Sequence, residues 1–378
     1  MSLSEPPFTL GIEEEYLLVD RATGDLATDP PEEIFAECEK RCSGQVSPEY
    51  MRCQIEIGTR VCANLKEARQ DLACLRSTVV EVAEKYDLAP IAASSHPFAR
   101  WESQKTTPRE RYQELALEMQ AAARRMLISG MHVHVGIDDD ELRIDLMNQL
   151  GYFLPHLLAL STSSPFWNGE NTGLKSYRLT VFDALPRTGL PERFSSYAEY
   201  QRHVQILIDA KLIQDSSKIW WDLRPSARYP TLETRVMDVC TRLDDAIAIA
   251  ALIVCLLRML YRLRLDNQRW RTYTQMLINE NRWRAMRYSF DEGLIDLAKG
   301  QVIDFDVILG EILELIAEDA KAFDCEAEIA RLPKILNAGT SAHRQIEAFE
   351  AARAEGKSQE EALRAVVNYL IATTQAGY

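Results

Sequence analysis

The hydrophobic period changes at Leu243, and this change limits the fold more than any other feature of the chain. Before it, short runs with period-two alternation read as strands, at 8–19, 51–59, 89–93, 129–137, 176–182, 218–223 and 231–239. Helical stretches at 64–86, 109–127, 139–161 and 195–211 separate them. After it, apolar residues recur at helical spacing over 244–266, 274–288, 304–323, 341–355 and 358–373, and Ser358 with Glu361 makes a capping box for the last of these. The strands do not alternate regularly with single helices, which argues against a doubly wound parallel sheet. An α+β fold with a mostly antiparallel sheet, flanking helices and a helical C-terminal third fits better. No repeat, low-complexity stretch or long Gly/Ser/Pro linker divides the 378 residues. They read as a single domain, with 1–242 carrying the sheet and the chemistry and 243–378 packed on it as helices.

The charge balance bears on partners. The 57 acidic and 43 basic residues give a formal charge of −14, the wrong sign for non-specific binding to nucleic acid. A small anion is still admissible, because bound metals or a few cations reverse the sign locally. The longest apolar run, 246–257, is shorter than the roughly 20 residues that span a bilayer, and Arg258, Arg262 and Arg264 end it, so it reads as a buried helix. The N-terminal segment is polar and then acidic, without the basic and apolar regions of a secretory signal. Eight cysteines form no Cys-x-x-Cys pair, and several sit in apolar periodic segments. Reduced core thiols in a cytoplasmic protein are the expectation.

The chemistry lies in the strands. In 8–19, Phe8, Leu10, Ile12, Tyr16 and Leu18 share one face, interrupted by Glu14, while Thr9, Gly11, Glu13 and Glu15 share the other. Two carboxylates then project side by side about 7 Å apart. They repel unless a cation lies between them, and a hard divalent ion with oxygen ligands suits that place. A solvated edge-strand face is the plainer reading of the same pattern. In the second strand Gln54 and Glu56 share a polar face; Glu49, seven residues earlier, falls on the opposite parity unless a bulge or turn intervenes. In the third, His132 and His134 share a face while Met131, Val133 and Val135 point into a core. In the fourth, Glu233 and Arg235 share a face, with Arg224 just upstream. That pairing is either a plain ion pair or a metal ligand beside a phosphate or carboxylate clamp. Taken jointly, four polar strand faces suit two or more Mg²⁺ ions holding a polyphosphate.

Gly11-Ile12-Glu13-Glu14-Glu15-Tyr16, Cys53-Gln54-Ile55-Glu56, Ser95-His96-Pro97-Phe98, Gly130-Met131-His132-Val133-His134 and Glu233-Thr234-Arg235 occur in that order. With Asn171-Thr172-Gly173 and Pro186-Arg187-Thr188-Gly189-Leu190-Pro191, the set resembles the bacterial carboxylate–amine ligase family, YbdK-type, also called type 2 glutamate–cysteine ligase, from about residue 8 to about residue 370. The resemblance implies the glutamine-synthetase-like catalytic fold, a curved antiparallel sheet holding ATP and two or more Mg²⁺ or Mn²⁺ ions. It implies joining of a glutamate-like carboxylate to an amine, cysteine or another amino acid, through an acyl phosphate. It places Glu13, Glu15, Glu49, Glu56, His132 and Glu233 at the metals, and Arg235 with His132 at the transferring phosphate. Lys175, Arg178, Arg187, Arg224 and His134 come second, either as holders of substrate or as ordinary cations. His96 reads as a loop cap or a pocket residue, and Asn281, Arg284 and Arg287 as helix surface or interface. No residue specifies cysteine, so the acid and amine stay open. The helical third is large enough to cover the sheet and form a homodimer interface.

Two other functions share parts of this pattern. A binuclear amidohydrolase also uses His-x-His on a strand, but on a barrel of parallel strands with more histidines. A non-catalytic amino-acid or nucleotide sensor on the same fold would not need every metal carboxylate.

Overall fold

The computed structural model describes residues 5–377. Seven strands form one sheet: β1 (Leu10–Asp20), β2 (Val46–Pro48), β3 (Gln54–Gly58), β4 (Leu88–Ile91), β5 (Met131–Gly136), β6 (Leu223–Pro225) and β7 (Thr231–Thr234). Their order is β6-β7-β5-β1-β3-β2, with β4 on the far half of β1, and every pairing in this sheet is antiparallel. The parallel barrel that an amidohydrolase needs is therefore not the architecture of this sheet.

β1 is the spine, and its period-two pattern explains the layers. Ile12, Tyr16 and Leu18 join Ile55, Ile57, Met131, Val133 and Val135 in a core behind the sheet. Helices α1 (Leu65–Glu84) and α2 (Leu243–Leu265) cover that core. Asn64 caps α1, its side chain accepting from the Glu67 N–H. Glu14, which breaks the apolar pattern of β1, is fully buried against Arg76 of α1. On the front, Glu13 and Glu15 give way along the strand to Leu17 and Val19. These join Phe166, Val181, Phe182 and the buried side of helix α4 (Gln359–Thr374) in a second apolar cluster.

α2 is long and apolar enough to cross a membrane by length and composition, yet 83% of its most apolar window is buried in the protein. Arg258 and Arg262 end its buried part by sharing Asp319, at 2.8 and 2.7 Å. Asp319 is wholly buried, so the two arginines neutralise a carboxylate inside the protein. All eight cysteines are free, seven of them buried and Cys74 exposed.

The segment 176–182, expected as a strand, instead contains a helix, Arg178–Phe182. Arg178, Leu179, Val181 and Phe182 are all buried, so the residue types there could not separate a two-residue from a 3.6-residue period. The expected helix 109–127 breaks at Gln120, where φ is 48°, into Glu110–Met119 and Ala121–Arg124.

Candidate active site

The strand register sets the site. Glu13 lies opposite His132 on β5 and Gly58 on β3; Glu15 lies opposite Glu56; Glu233 lies opposite both His134 and Arg224. Ser47 of β2 pairs with Glu56, which puts the next same-face position after Ser47, Glu49, beside Gln54 and Glu56. The β2–β3 hairpin is the turn that brings Glu49 round. A cavity of about 460 Å³ stands over this face.

The carboxylates fall into two clusters. In the first, ligand atoms of Glu13, His134 and Glu233 all lie within 4.8 Å of one another. Nδ1 of His134 bonds the Thr231 hydroxyl at 2.9 Å, which leaves its Nε2 buried, 3.6 Å from Glu13 and without a hydrogen-bond partner among the described residues. A ring nitrogen fixed by a hydroxyl, with the other aimed among carboxylates, is how a metal-binding imidazole is oriented. His132 stands beside this cluster: Nδ1 donates to Glu13 Oε2 at 3.1 Å, and Nε2 is buried with no hydrogen-bond partner among the described residues. Burial, reinforced by the charge of Arg235, takes His132 down to about 4. Burial pushes Glu13 up, but the neighbouring His132 and His134 imidazoles outweigh it and hold the carboxyl well below the usual range. In Glu233 burial is likewise overcome, by Arg235 and then Arg224, so this cluster stays anionic.

The second cluster joins Glu15, Glu49 and Glu56, again within 4.8 Å of one another. Backbone N–H groups of Gly130 and Tyr50 donate to Glu15 and Glu49, and the Ser47 hydroxyl to Glu56. None of these donors is a cation. Burial, then the charge of Glu56, raises Glu15 to about 7; burial, then Glu15, raises Glu49 to about 7. Burial and Glu49 push Glu56 well above the carboxylate range. Three oxygen ligands that repel one another on a rigid sheet fit a divalent cation.

Arginines frame the first cluster. Arg235 pairs with Glu233, and its Nε is buried without a hydrogen-bond partner among the described residues. Arg224 forks onto Glu233 at 2.9 and 3.1 Å and donates to the Ser217 and Ile219 carbonyls, so its donors are occupied. Arg178 borders the cavity but spends its guanidinium on the Arg235 and Val236 carbonyls, at 3.2 and 3.5 Å. Lys175 pairs with Asp291 at 3.1 Å. Arg187 donates to the Lys218 carbonyl and stacks on Trp220. Neither Lys175 nor Arg187 lines the cavity. His96 is a loop cap: Nδ1 accepts from the Ala99 N–H and Nε2 donates to the Gly24 carbonyl, each at 2.9 Å. Asn281 clamps Ile295, and Arg284 holds the Glu292 and Gly293 carbonyls; both lie away from the cavity.

The rim holds cations that strand reading does not find. Arg109 and Arg111 stand at the start of helix Glu110–Met119, Lys218 ahead of β6, and Arg228 in the β6–β7 turn. None of the four forms a salt bridge among the described residues. Their only sequence signal is charge in turns and at a helix start. An acidic floor under an unpaired cationic rim can hold cations below and an anion above them.

A glutamate–cysteine ligase from Francisella tularensis, solved in complex with AMP, has this fold: the TM-score is 0.68 at 15% identity, over 99% of this chain and 90% of that one. A bifunctional glutathione synthetase from Pasteurella multocida gives 0.69 at 15% identity over 97% of this chain and 52% of its own, so this chain spans about half of that protein. The class defined here is the ATP-dependent ligases of glutamine-synthetase-like fold. The model of glutamate–cysteine ligase family 2 matches residues 9–369, and the chain belongs to that family. Relatives provisionally named glutamate–cysteine ligase 2 include one from Rhodospirillum rubrum, 59% identical over 99% of this chain and 97% of its own length. Another, from Chloroflexus aurantiacus, is 42% identical over 98% and 93%.

Proposed function

We propose that this chain couples ATP cleavage to formation of an amide bond between a glutamate-like carboxylate and an amine, with cysteine as the first amine to try. The observation that carries this reading is the pair of acidic clusters on one sheet face with Arg235 beside them. Bound divalent cations would neutralise the polyphosphate and hold the acid and the γ-phosphate together. Glu13, His134 and Glu233 form one ligand set and Glu15, Glu49 and Glu56 the other, with His132 fixing Glu13. Arg235 faces the transferring phosphate, where a planar fork matches its oxygens. The unpaired rim arginines suit the anionic groups of the two substrates.

The substrate carboxylate oxygen attacks the γ-phosphorus and ADP departs, leaving an acyl phosphate; the amine nitrogen then attacks the acyl carbon, loses a proton, and inorganic phosphate leaves. Two anions must meet in the first step, so most of the catalysis is charge neutralisation and positioning. Free, mostly buried thiols suit a cytoplasmic setting.

The test is ADP release with Mg²⁺ or Mn²⁺ across a panel of amino-acid pairs that begins with glutamate and cysteine. Release that needs metal, acid and amine together is expected, and Glu56→Gln should abolish it without unfolding the protein. If no pair raises release above background, the ligase reading is wrong.

A further inference from the structure

The direction of Arg235 is set by the backbone just beyond β7. Thr234 is the last residue paired with β6, opposite Leu223. After it, the N–H groups of Arg235 and Val236 both donate to the Asp222 carbonyl, at 2.7 and 3.2 Å. Two residues against one make a bulge, which bends a strand and re-aims its side chains.

The bulge is held from two sides, and both supports lead to one residue. Arg282, on helix α3 (Gln275–Tyr288), donates from Nε to Asp222 Oδ2 at 2.6 Å and from Nη2 to Oδ1 at 3.3 Å. The other edge of the same guanidinium takes Asp183, with Nη1 to Oδ2 at 2.7 Å and Nη2 to Oδ1 at 2.9 Å. Asp183 ends the short helix that Arg178 begins. Arg178 in turn holds the Arg235 and Val236 carbonyls. Asp222 and Arg282 are buried, and Arg282 does not line the cavity.

We infer that Arg282 is a positioning residue for Arg235, clamping the bulge through Asp222 and the Arg178 helix through Asp183. The helical C-terminal region thereby aims a guanidinium that stands on the sheet. Lysine cannot take this place, because one ammonium cannot span two carboxylates as a planar fork does. The inference rests on the reading of Arg235 as the partner of the transferring phosphate.

The test is a double-mutant cycle on nucleotide binding. Calorimetry gives the affinity of wild type, Arg282→Lys, Arg235→Lys and the double variant for Mg-ATP and for Mg-ADP, alongside kcat and the thermal shift caused by Mn²⁺. Arg282→Lys is expected to keep the Mn²⁺ shift and to lose the preference for ATP over ADP. Its kcat should fall on the order of 10²-fold, the scale of a misplaced catalytic group. Added to Arg235→Lys, it should cost little more, because the two act as one unit. Additive losses overturn the inference, as does a wild-type ATP preference in Arg282→Lys. Loss of the Mn²⁺ shift together with nucleotide binding also overturns it, since that marks a merely structural role. If Arg282→Lys does not fold, Asp183→Asn, which keeps the Asp222 arm, is read in the same cycle and must shift ATP preference in the same direction. A wild type that binds nucleotide but releases no ADP fails the ligase reading alone, because the binding cycle needs no turnover. A wild type indifferent to the γ-phosphate overturns both.

Discussion

Glu14 and Arg76 meet fork to fork behind the strand whose front carries Glu13 and Glu15, with Nε 2.8 Å from Oε2 and Nη2 2.6 Å from Oε1. Tyr16 donates to the same carboxylate, and the remaining arginine donors go to the Cys240 and Thr241 carbonyls. The pair thus ties β1 to α1 and to the segment that leads into α2. Arg76→Met should cost about 3–5 kcal/mol, because it leaves a buried carboxylate unpaired. Glu14→Leu together with Arg76→Met should recover much of that loss. Urea unfolding checks both. A cost below about 1 kcal/mol for the single variant, the range of an exposed pair, would contradict the reading.

How much of this was legible in the sequence depends on the span over which each feature is written. Glu13 with Glu15, His132 with His134 and Glu233 with Arg235 each lie two apart on one strand, so period-two parity places them without knowledge of partners. Glu49 does not yield to parity, because its face is decided across the β2–β3 hairpin, and β2 is only three residues long. The division of the carboxylates is equally non-local. Register puts His132 opposite Glu13, yet it is His134, opposite Glu233 on the next strand, whose ring joins Glu13 and Glu233. Arg187 has the right charge in a matching motif and Lys175 stands just beyond one, yet the Lys218 carbonyl and Asp291 engage them. The rim arginines and the Arg282 clamp depend on loops and on a helix about a hundred residues from Asp183, for which no local pattern exists.

Metal should stabilise the protein measurably before any turnover. Glu15, Glu49 and Glu56 repel one another in the metal-free state, so a cation that binds only the folded chain raises its stability by mass action. At a hundredfold excess over Kd the gain is about 2.7 kcal/mol. Thermal unfolding against Mn²⁺ concentration should show it, and chelator should reverse it. Glu56→Gln should weaken the response while leaving the metal-free protein no less stable, since the change removes repulsion and not packing. A metal-free Glu56→Gln protein well below wild type would show that Glu56 is a structural residue.

Acid should destabilise the chain through histidines remote from the clusters. Burial takes His96 and His156 each down to about 4. In His96 the reason is visible: Nδ1 already accepts backbone N–H groups of Phe98 and Ala99, so a proton there has no place. The unfolded chain takes these protons near 6.5, so between about 6.5 and 4 it binds more protons than the folded chain. Stability is therefore full above that window and falls as pH drops through it, by up to about 3 kcal/mol for each histidine. His156 packs among Tyr152, Phe153 and Phe305, so His156→Phe keeps a ring in place. Urea midpoints at neutral pH and near pH 5 should differ less in that variant than in wild type. An unchanged difference would assign the acid sensitivity to other groups.

Gly130 is the position where a single methyl group should separate fold from activity. A Cβ there would lie 2.4 Å from Arg178 Nη2 and 2.9 Å from its Cζ. The glycine also donates to Glu15 at 2.8 Å, so β5 cannot easily retreat from the cluster. The guanidinium must move instead, and it loses its bonds to the Arg235 and Val236 carbonyls. Overpacking of this kind costs about 1–3 kcal/mol, which leaves a folded protein. Gly130→Ala should therefore lose most of its kcat while its thermal response to Mn²⁺ persists. Arg178→Lys should show the same defect, and the double variant should be little worse than either alone, because both remove one support of the same bulge. Steady-state kinetics on the three variants decide the matter. Full activity in Gly130→Ala would mean that Arg178 does not need its close approach to β5.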